Sequence, residues 1–63
     1  NQLHIKSEYA IKNLYLVDMT GKVLASQKFS AANETTITIS GTGVFVLFLE
    51  TSQGYIAEKV ILN

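Results

Sequence analysis

Two five-residue segments with the same glycine placement constrain the fold of this chain most strongly. DMTGK covers residues 18–22 and TSQGY covers residues 51–55, and each has Gly at its fourth position. Glycine takes a positive φ at little steric cost, which suits a type I turn followed by a left-handed residue. We therefore predict tight antiparallel hairpins at both segments, with positive φ at Gly21 and Gly54. Asp18 is expected to cap the backbone amides of its own turn.

Alternation of apolar and polar residues around these segments predicts short β-strands. Six candidates are LHIKS, IKNLYLVD, KVLASQKF, TTITIS, GVFVLFLE and YIAEKVILN. SAANE (residues 30–34) and SGTG (residues 40–43) are expected to be looser connections. A helix through residues 21–34 is disfavoured because Val23 and Leu24 have polar neighbours four positions later, which leaves no apolar stripe.

Several short strands joined by hairpin turns predict an antiparallel β-sandwich. Pairing of Asp18 with Lys22 in the first hairpin puts Leu16 opposite Leu24, so that apolar meets apolar. The residues predicted to form the core are Leu3, Ile5, Leu14, Leu16, Leu24, Ile37, Ile39, Phe45, Leu47 and Leu49.

The chain is small and cannot form a disulfide bond. Its 63 residues form one domain at most, and the sequence has no Cys and only one His. A core of this size supplies about 3–5 kcal/mol net. Stability must then come from strand pairing, from a partner, or from attachment to something larger. Because the sequence begins with Asn1 rather than Met, we expect residues 1–63 to be one domain of a longer protein.

Catalysis, metal binding and nucleic-acid binding are not indicated by this composition. Five basic and five acidic residues cancel, so the chain lacks the basic stripe that nucleic acid requires. A single His4 on the polar side of its strand is too little for a zinc site, and we expect no cofactor. No Ser or Thr has a nearby His–acid pair to activate it as a nucleophile. Scattered tyrosines, Tyr9, Tyr15 and Tyr55, are more typical of packing than of ligand stacking. An enzyme is not expected.

One strand is apolar on both faces. Residues 44–49 read VFVLFL without interruption, which is far below the ~20 residues of a membrane-spanning helix. Only one face of a sandwich strand meets the core, so the second apolar face predicts an interaction surface. The alternative is a central strand covered by the rest of a longer protein.

Three motifs in order resemble the type A C-terminal sorting domain of proteins exported by the type IX (Por) secretion system of Bacteroidetes. LYLVDMTGKVL resembles the family's apolar strand ending in YDLTGK, and GVFVLFLE resembles its Gly-Val-Tyr strand, with Phe45 where Tyr is usual. SQGYIAEKVILN resembles its glycine hairpin and final strand. The chain departs from the family at the shortened SGTG loop, at Phe48 where Lys is usual, and at the terminal pair Glu58 and Lys59.

The resemblance implies an all-β, immunoglobulin-like antiparallel β-sandwich of about six to seven short strands. It implies a sorting signal that directs an N-terminal cargo domain through the periplasm and across the outer membrane, to the cell surface or the medium. The implied partners are the type IX translocon and sortase-like components, which in many members remove the domain and anchor the cargo. Self-association through the C-terminal hairpin is a further expectation, because exposed strand edges pair readily.

The C-terminal hairpin is therefore the predicted recognition element. Its predicted recognition residues are Gly43, Val44, Phe45, Val46, Lys59 and Val60. The alternative function is a non-catalytic immunoglobulin-like module of a secreted protein that binds carbohydrate or protein, or that spaces domains.

Overall fold

A computed structural model describes residues 2–63, which form one four-stranded antiparallel sheet. The strands are β1 (Gln2–Asp18), β2 (Val23–Thr38), β3 (Gly43–Thr51) and β4 (Gly54–Leu62), and their order in the sheet is β2-β1-β3-β4. The predicted all-β antiparallel class is thus confirmed. No helix among these 62 residues is long and apolar enough to cross a membrane.

The structure has four strands rather than the predicted six to seven, because two pairs of candidates are continuous. LHIKS and IKNLYLVD both lie in β1, and KVLASQKF and TTITIS both lie in β2. The SAANE segment, expected to be a connection, is also strand. Its Asn33 amide donates hydrogen bonds to the carbonyl oxygens of Ser7 and Glu8 at 3.2 and 3.3 Å, which ties β2 to β1 where the ladder is irregular.

The long β1–β2 ladder folds back on itself. Seventeen residues of straight strand would span about 56 Å, whereas the longest dimension of the molecule is 29 Å. The ladder is irregular between Lys6 and Ile11, where its register shifts. The distal arm is defined here as the end of this ladder, which consists of residues 2–6 of β1 and residues 34–38 of β2. It therefore folds over the rest of the sheet. One continuous sheet supplies both sides of the core.

Among residues 2–63, nine buried hydrophobic side chains form that core. They are Ile5, Ile11, Leu14, Leu16, Ile37, Ile39, Phe45, Leu47 and Leu49. Eight of them were predicted from the alternation of the sequence, and the predicted Leu3 is partly buried against the cluster. Residues of the distal arm and of β3 thus share one apolar interior, which is what holds the folded-back sheet together.

Two core assignments from the sequence are wrong, and both errors lie at β-bulges. Leu16 pairs with Ala25 and Val17 with Val23, so Leu24 is the extra residue of a bulge and is 43% exposed. It does not face Leu16. The register also shifts between Ile11 and Asn13, which turns Ile11 to the core face, where it is fully buried. A shift of one residue exchanges the two faces of a strand, and simple alternation does not foresee it.

Both predicted hairpin turns are confirmed. Gly21 has φ +90° and Gly54 has φ +121°. In the first turn the Asp18 amide donates to the Lys22 carbonyl oxygen at 2.9 Å, and the Gly21 amide donates to the Asp18 carbonyl oxygen at 3.0 Å. In the second, the buried hydroxyl of Thr51 donates to the Gly54 carbonyl oxygen at 2.9 Å.

The Asp18 carboxylate caps its turn, as the sequence predicts. One oxygen accepts hydrogen bonds from the Thr20 hydroxyl at 2.6 Å, the Thr20 amide at 2.9 Å and the Lys22 amide at 3.0 Å. These bonds, the Thr20 hydroxyl first, lower the pKa of the Asp18 carboxyl below its ordinary value. The carboxylate is therefore ionised at neutral pH and holds the turn closed.

Replacing Gly21 by Val is expected to lower the free energy of unfolding by more than ~1 kcal/mol, because a β-branched residue is strained at positive φ. No atom lies within 4 Å of a Cβ built at Gly21, so the whole cost is in the backbone. Gly21→Asn is the control and should cost less, since Asn tolerates the left-handed region. Urea denaturation measures both, and an unchanged midpoint for the Val variant would contradict the turn.

Candidate functional site

The pairing register separates the inner and outer faces of the β3–β4 hairpin. Directly paired residues of antiparallel strands lie on the same face of the sheet. The buried apolar side chains of β3 are at positions 45, 47 and 49, and their partners in β4 are Val60, Glu58 and Ile56. These residues form the inner face. Val44 and Val46 point the other way, together with their partners Ile61 and Lys59.

The outer face continues across all four strands in aligned rows. From β2 to β4, one row consists of Val23, Val17, Val46 and Lys59, and the next consists of Ser26, Tyr15, Phe48 and Ala57. Side chains directly opposite on one face are about 4.5–5.5 Å apart at Cβ, so each row is a continuous contact.

Apolar side chains on the outer face are exposed. Ile61 is 61% exposed, Val23 is 55% exposed, and Phe48 and Tyr15 are each 38% exposed. Val17, Val44 and Val46 are half-buried between them. Contiguous apolar surface of this kind marks interaction sites in soluble proteins.

The predicted recognition residues divide between the two faces. Val44, Val46 and Lys59 are neighbours on the outer face, and Lys59 is exposed beside Val46. Phe45 pairs with Val60 on the inner face, where Phe45 is core and Val60 packs against it. Gly43 begins β3 with φ +131°. The structure thus brings three of the six predicted residues together on the surface.

A row of polar residues lies at the end of the outer face near the second turn. The sequence did not predict this row. Lys28, Asn13, Glu50 and Tyr55 align from β2 to β4. Glu50 accepts a hydrogen bond from the Asn13 side-chain amide at one oxygen and from the Tyr55 hydroxyl at the other, the latter at 3.3 Å. The Glu50 charge, followed by this hydrogen bond, raises the pKa of the Tyr55 phenol. These bonds tie β3 to both of its neighbours.

The strand β4 lies at an edge of the sheet. It pairs with β3, and among residues 2–63 no ladder joins its other side. Its outward backbone amides and carbonyls are open to another strand. Glu58 and Lys59 are the charged residues of this strand.

His4, the single histidine, lies on the exposed side of its strand, as predicted. Its Nδ1 is 3.0 Å from the Thr36 hydroxyl, and its Nε2 is 2.8 Å from a Glu34 carboxylate oxygen. Both contacts cross from β1 to β2. These contacts indicate a structural role for His4, which joins the two strands of the distal arm.

Comparison with known families identifies the chain. The family model described as the secretion system C-terminal sorting domain matches residues 1–63. The chain belongs to this family. No curated protein and no solved structure gives a significant match.

The sorting domain is the C-terminal signal for type IX secretion, and its family is not a known enzyme family. The family match supports the sorting function over the alternative of a binding or spacer module. It implies a protein exported across the outer membrane and recognised by the type IX machinery. The outer face of the β3–β4 hairpin exposes Phe48 and Ile61.

Proposed function

We propose that the type IX translocon recognises this sorting domain through the outer face of the β3–β4 hairpin. Val44, Val46 and Lys59 are the contact residues in this proposal. The observation that carries it is the pair of half-buried valines on a face that a solvated sandwich strand would make polar. Lys59 stands directly opposite Val46 and gives the apolar surface a charged border.

The other predicted recognition residues act through the shape of the hairpin. Phe45 and Val60 pair on the inner face and anchor β3 and β4 to the core. Gly43 admits the positive φ with which the chain enters β3 from the SGTG connection. Substituting these residues would disturb folding, so they do not separate folding from recognition.

The expected contribution of the two valines is measurable. Complete burial of an exposed Val side chain contributes about 1.5–3 kcal/mol. Because most of Val44 and Val46 is already buried in the free domain, docking adds at most about 2 kcal/mol for the pair. A contribution of about 1.4 kcal/mol corresponds to tenfold in affinity.

Replacing Val44 and Val46 together by Thr is expected to reduce surface delivery of a fused passenger about tenfold. Val→Thr keeps β-branching and nearly the same shape, so the strand is retained while the apolar contact is lost. Surface delivery is measured as the fraction of passenger accessible to antibody on intact cells, with folding checked by protease resistance of the secreted or retained protein.

Two controls accompany this variant. Val23→Thr makes the same chemical change in the same row, but on β2, at the far edge of the sheet. Phe48→Lys introduces a residue that is common in the family. Both should leave delivery unchanged. A folded Val44/Val46 variant that delivers its passenger at full yield would show that the outer face is not the recognition site.

We further propose that residues 1–63 act as one domain attached to the C-terminus of a cargo protein and have no catalytic role. The cargo would pass through the periplasm and the outer membrane to the cell surface or the medium. Sortase-like components would then cleave the domain and anchor the cargo, as in many members of the family. The family match supports this route. Fusion to an unrelated reporter tests it, because a binding or spacer module would leave the reporter inside the cell.

A further inference from the structure

We propose that the cleft between the distal arm and β4 binds one extended polypeptide strand with a basic residue between two apolar ones. The cleft lies on the inner side of the sheet, away from Val44 and Val46. Residues 3–9 of β1 line one side, residues 56, 58 and 60 of β4 line the other, and Leu47 and Leu49 of β3 also line it. The proposal is independent of translocon recognition by the outer face.

Two open strand edges border the cleft. Residues 2–6 of β1 pair with β2 on one side, and no ladder joins their other side within residues 2–63. The strand β4 is likewise paired on one side by β3. Unpaired backbone amides and carbonyls along an edge are complementary to one kind of ligand, an extended polypeptide backbone.

The floor of the cleft is apolar, whereas Lys6 and Glu8 of β1 and Glu58 of β4 are charged residues in its lining. Leu47 and Leu49 are buried residues of the core, and Val60 packs against that core. Ile56 is left 36% exposed because nothing in the described chain covers it. The cleft has a volume of about 320 Å³, near the lower limit of roughly 300 Å³ for ligand sites. It has room for a few side chains of one strand and not for a folded domain.

Glu58 determines the charge of the expected ligand. It lies opposite Leu47 on the inner face, between Ile56 and Val60, and its carboxylate forms no hydrogen bond or ion pair with any residue in the described range 2–63. A strand that pairs with β4 places one residue directly opposite Glu58. Lys or Arg there neutralises the carboxylate, and the residues two positions before and after it meet Ile56 and Val60. The ligand pattern is apolar-x-basic-x-apolar.

A second copy of this chain fits the edge less well than a strand with a basic residue opposite Glu58. Antiparallel pairing of two identical strands about a two-fold axis keeps equal faces together. The register with full overlap of β4 places Glu58 opposite Glu58 of the other copy. A shift in one direction places Lys59 opposite Lys59, and a shift in the other direction places Ala57 opposite Ala57 and leaves Glu58 without a basic partner. Like charges directly opposite each other are destabilising. None of these registers places a basic residue opposite Glu58, so a strand of different sequence with a basic residue there fits the edge better.

The test uses two synthetic peptides and amide resonances of the labelled chain. Thr-Val-Thr-Lys-Thr-Val-Thr has the proposed pattern, and Thr-Val-Thr-Glu-Thr-Val-Thr reverses its charge. We expect the Lys peptide to bind about fivefold more tightly and to slow amide exchange along residues 56–60. Glu58→Lys should reverse the preference and Glu58→Gln should abolish it. Because Glu58 is exposed, both variants should fold.

Three outcomes would overturn the proposal. They are equal or absent binding of the two peptides, protection confined to residues 2–6, and displacement of both peptides by a dimer of the chain. The Val44/Val46 threonine variant should bind the Lys peptide as the unmodified chain does. That variant separates the cleft from the outer face, so failure of one proposal leaves the other intact.

Discussion

Leu14→Ala is expected to abolish the cooperative unfolding transition of the isolated chain. Leu14 is fully buried and is paired on both sides, with Gln27 of β2 and Leu49 of β3. Removing a leucine side chain from a close-packed core costs about 2–5 kcal/mol. A core of this size supplies only about 3–5 kcal/mol net, so the loss is comparable to the whole stability. Thermal unfolding followed by far-UV circular dichroism measures it.

Leu24→Ala is the matched control for this variant. It deletes the same atoms from the neighbouring strand, but Leu24 is the bulge residue and is 43% exposed. Its cost should stay below about 1 kcal/mol because little cavity is created. Similar losses of stability for the two variants would contradict the bulge and would support the register in which Leu24 lies opposite Leu16.

Removing both charges from the β4 edge is expected to convert weak self-association into strong oligomerisation. The open backbone of β4 favours pairing with another copy, while like charges at Glu58 and at Lys59 oppose two of the aligned registers. The double variant Glu58→Thr with Lys59→Thr keeps the net charge and the strand propensity but removes this opposition. Sedimentation equilibrium should show weak association of the unmodified chain and a much larger mean mass for the variant.

Glu8→Thr with Lys12→Thr is the control, because it also removes one charge of each sign, from exposed positions of β1 rather than from the β4 edge. Its mean mass should match that of the unmodified chain. A strictly monomeric edge variant at high concentration would show that the β4 edge does not pair with copies of itself, and would remove self-association from the list of its interactions.

Local chemistry made the two hairpins predictable. Gly21 and Gly54 occupy the positions where a left-handed residue is needed, and Asp18 has the side chain that caps such a turn. The inward alternation in β3 also follows directly from a period of two. The bulges next to Leu16 and Ile11 were not predictable, because no glycine or proline marks them and the register around them is set by neighbouring strands.

The candidate site likewise has one part that the sequence predicts and another that depends on long-range strand pairing. That Val44 and Val46 face away from the core follows from the alternation of one strand. The rows that join them to Val17 and Val23 depend on how β3 pairs with β1, and this pairing joins distant parts of the sequence. The Asn13–Glu50–Tyr55 contacts depend on the same long-range register. Sequence periodicity alone contains no information about it.

The central position of β1 has a kinetic consequence. The β1–β2 and β3–β4 pairs are hairpins of consecutive strands, whereas the β1–β3 ladder joins residues as distant as Ile11 and Thr51. Hairpins form in about 1–10 μs. Pairing of β1 with β3 is slower, because it must overcome the entropy cost of closing the long chain segment between them. We therefore expect the docking of the β1–β2 hairpin onto the β3–β4 hairpin to limit the folding rate. The hairpin that presents Val44 and Val46 can form transiently before the rest of the domain, and pairing of β3 with β1 then stabilises it.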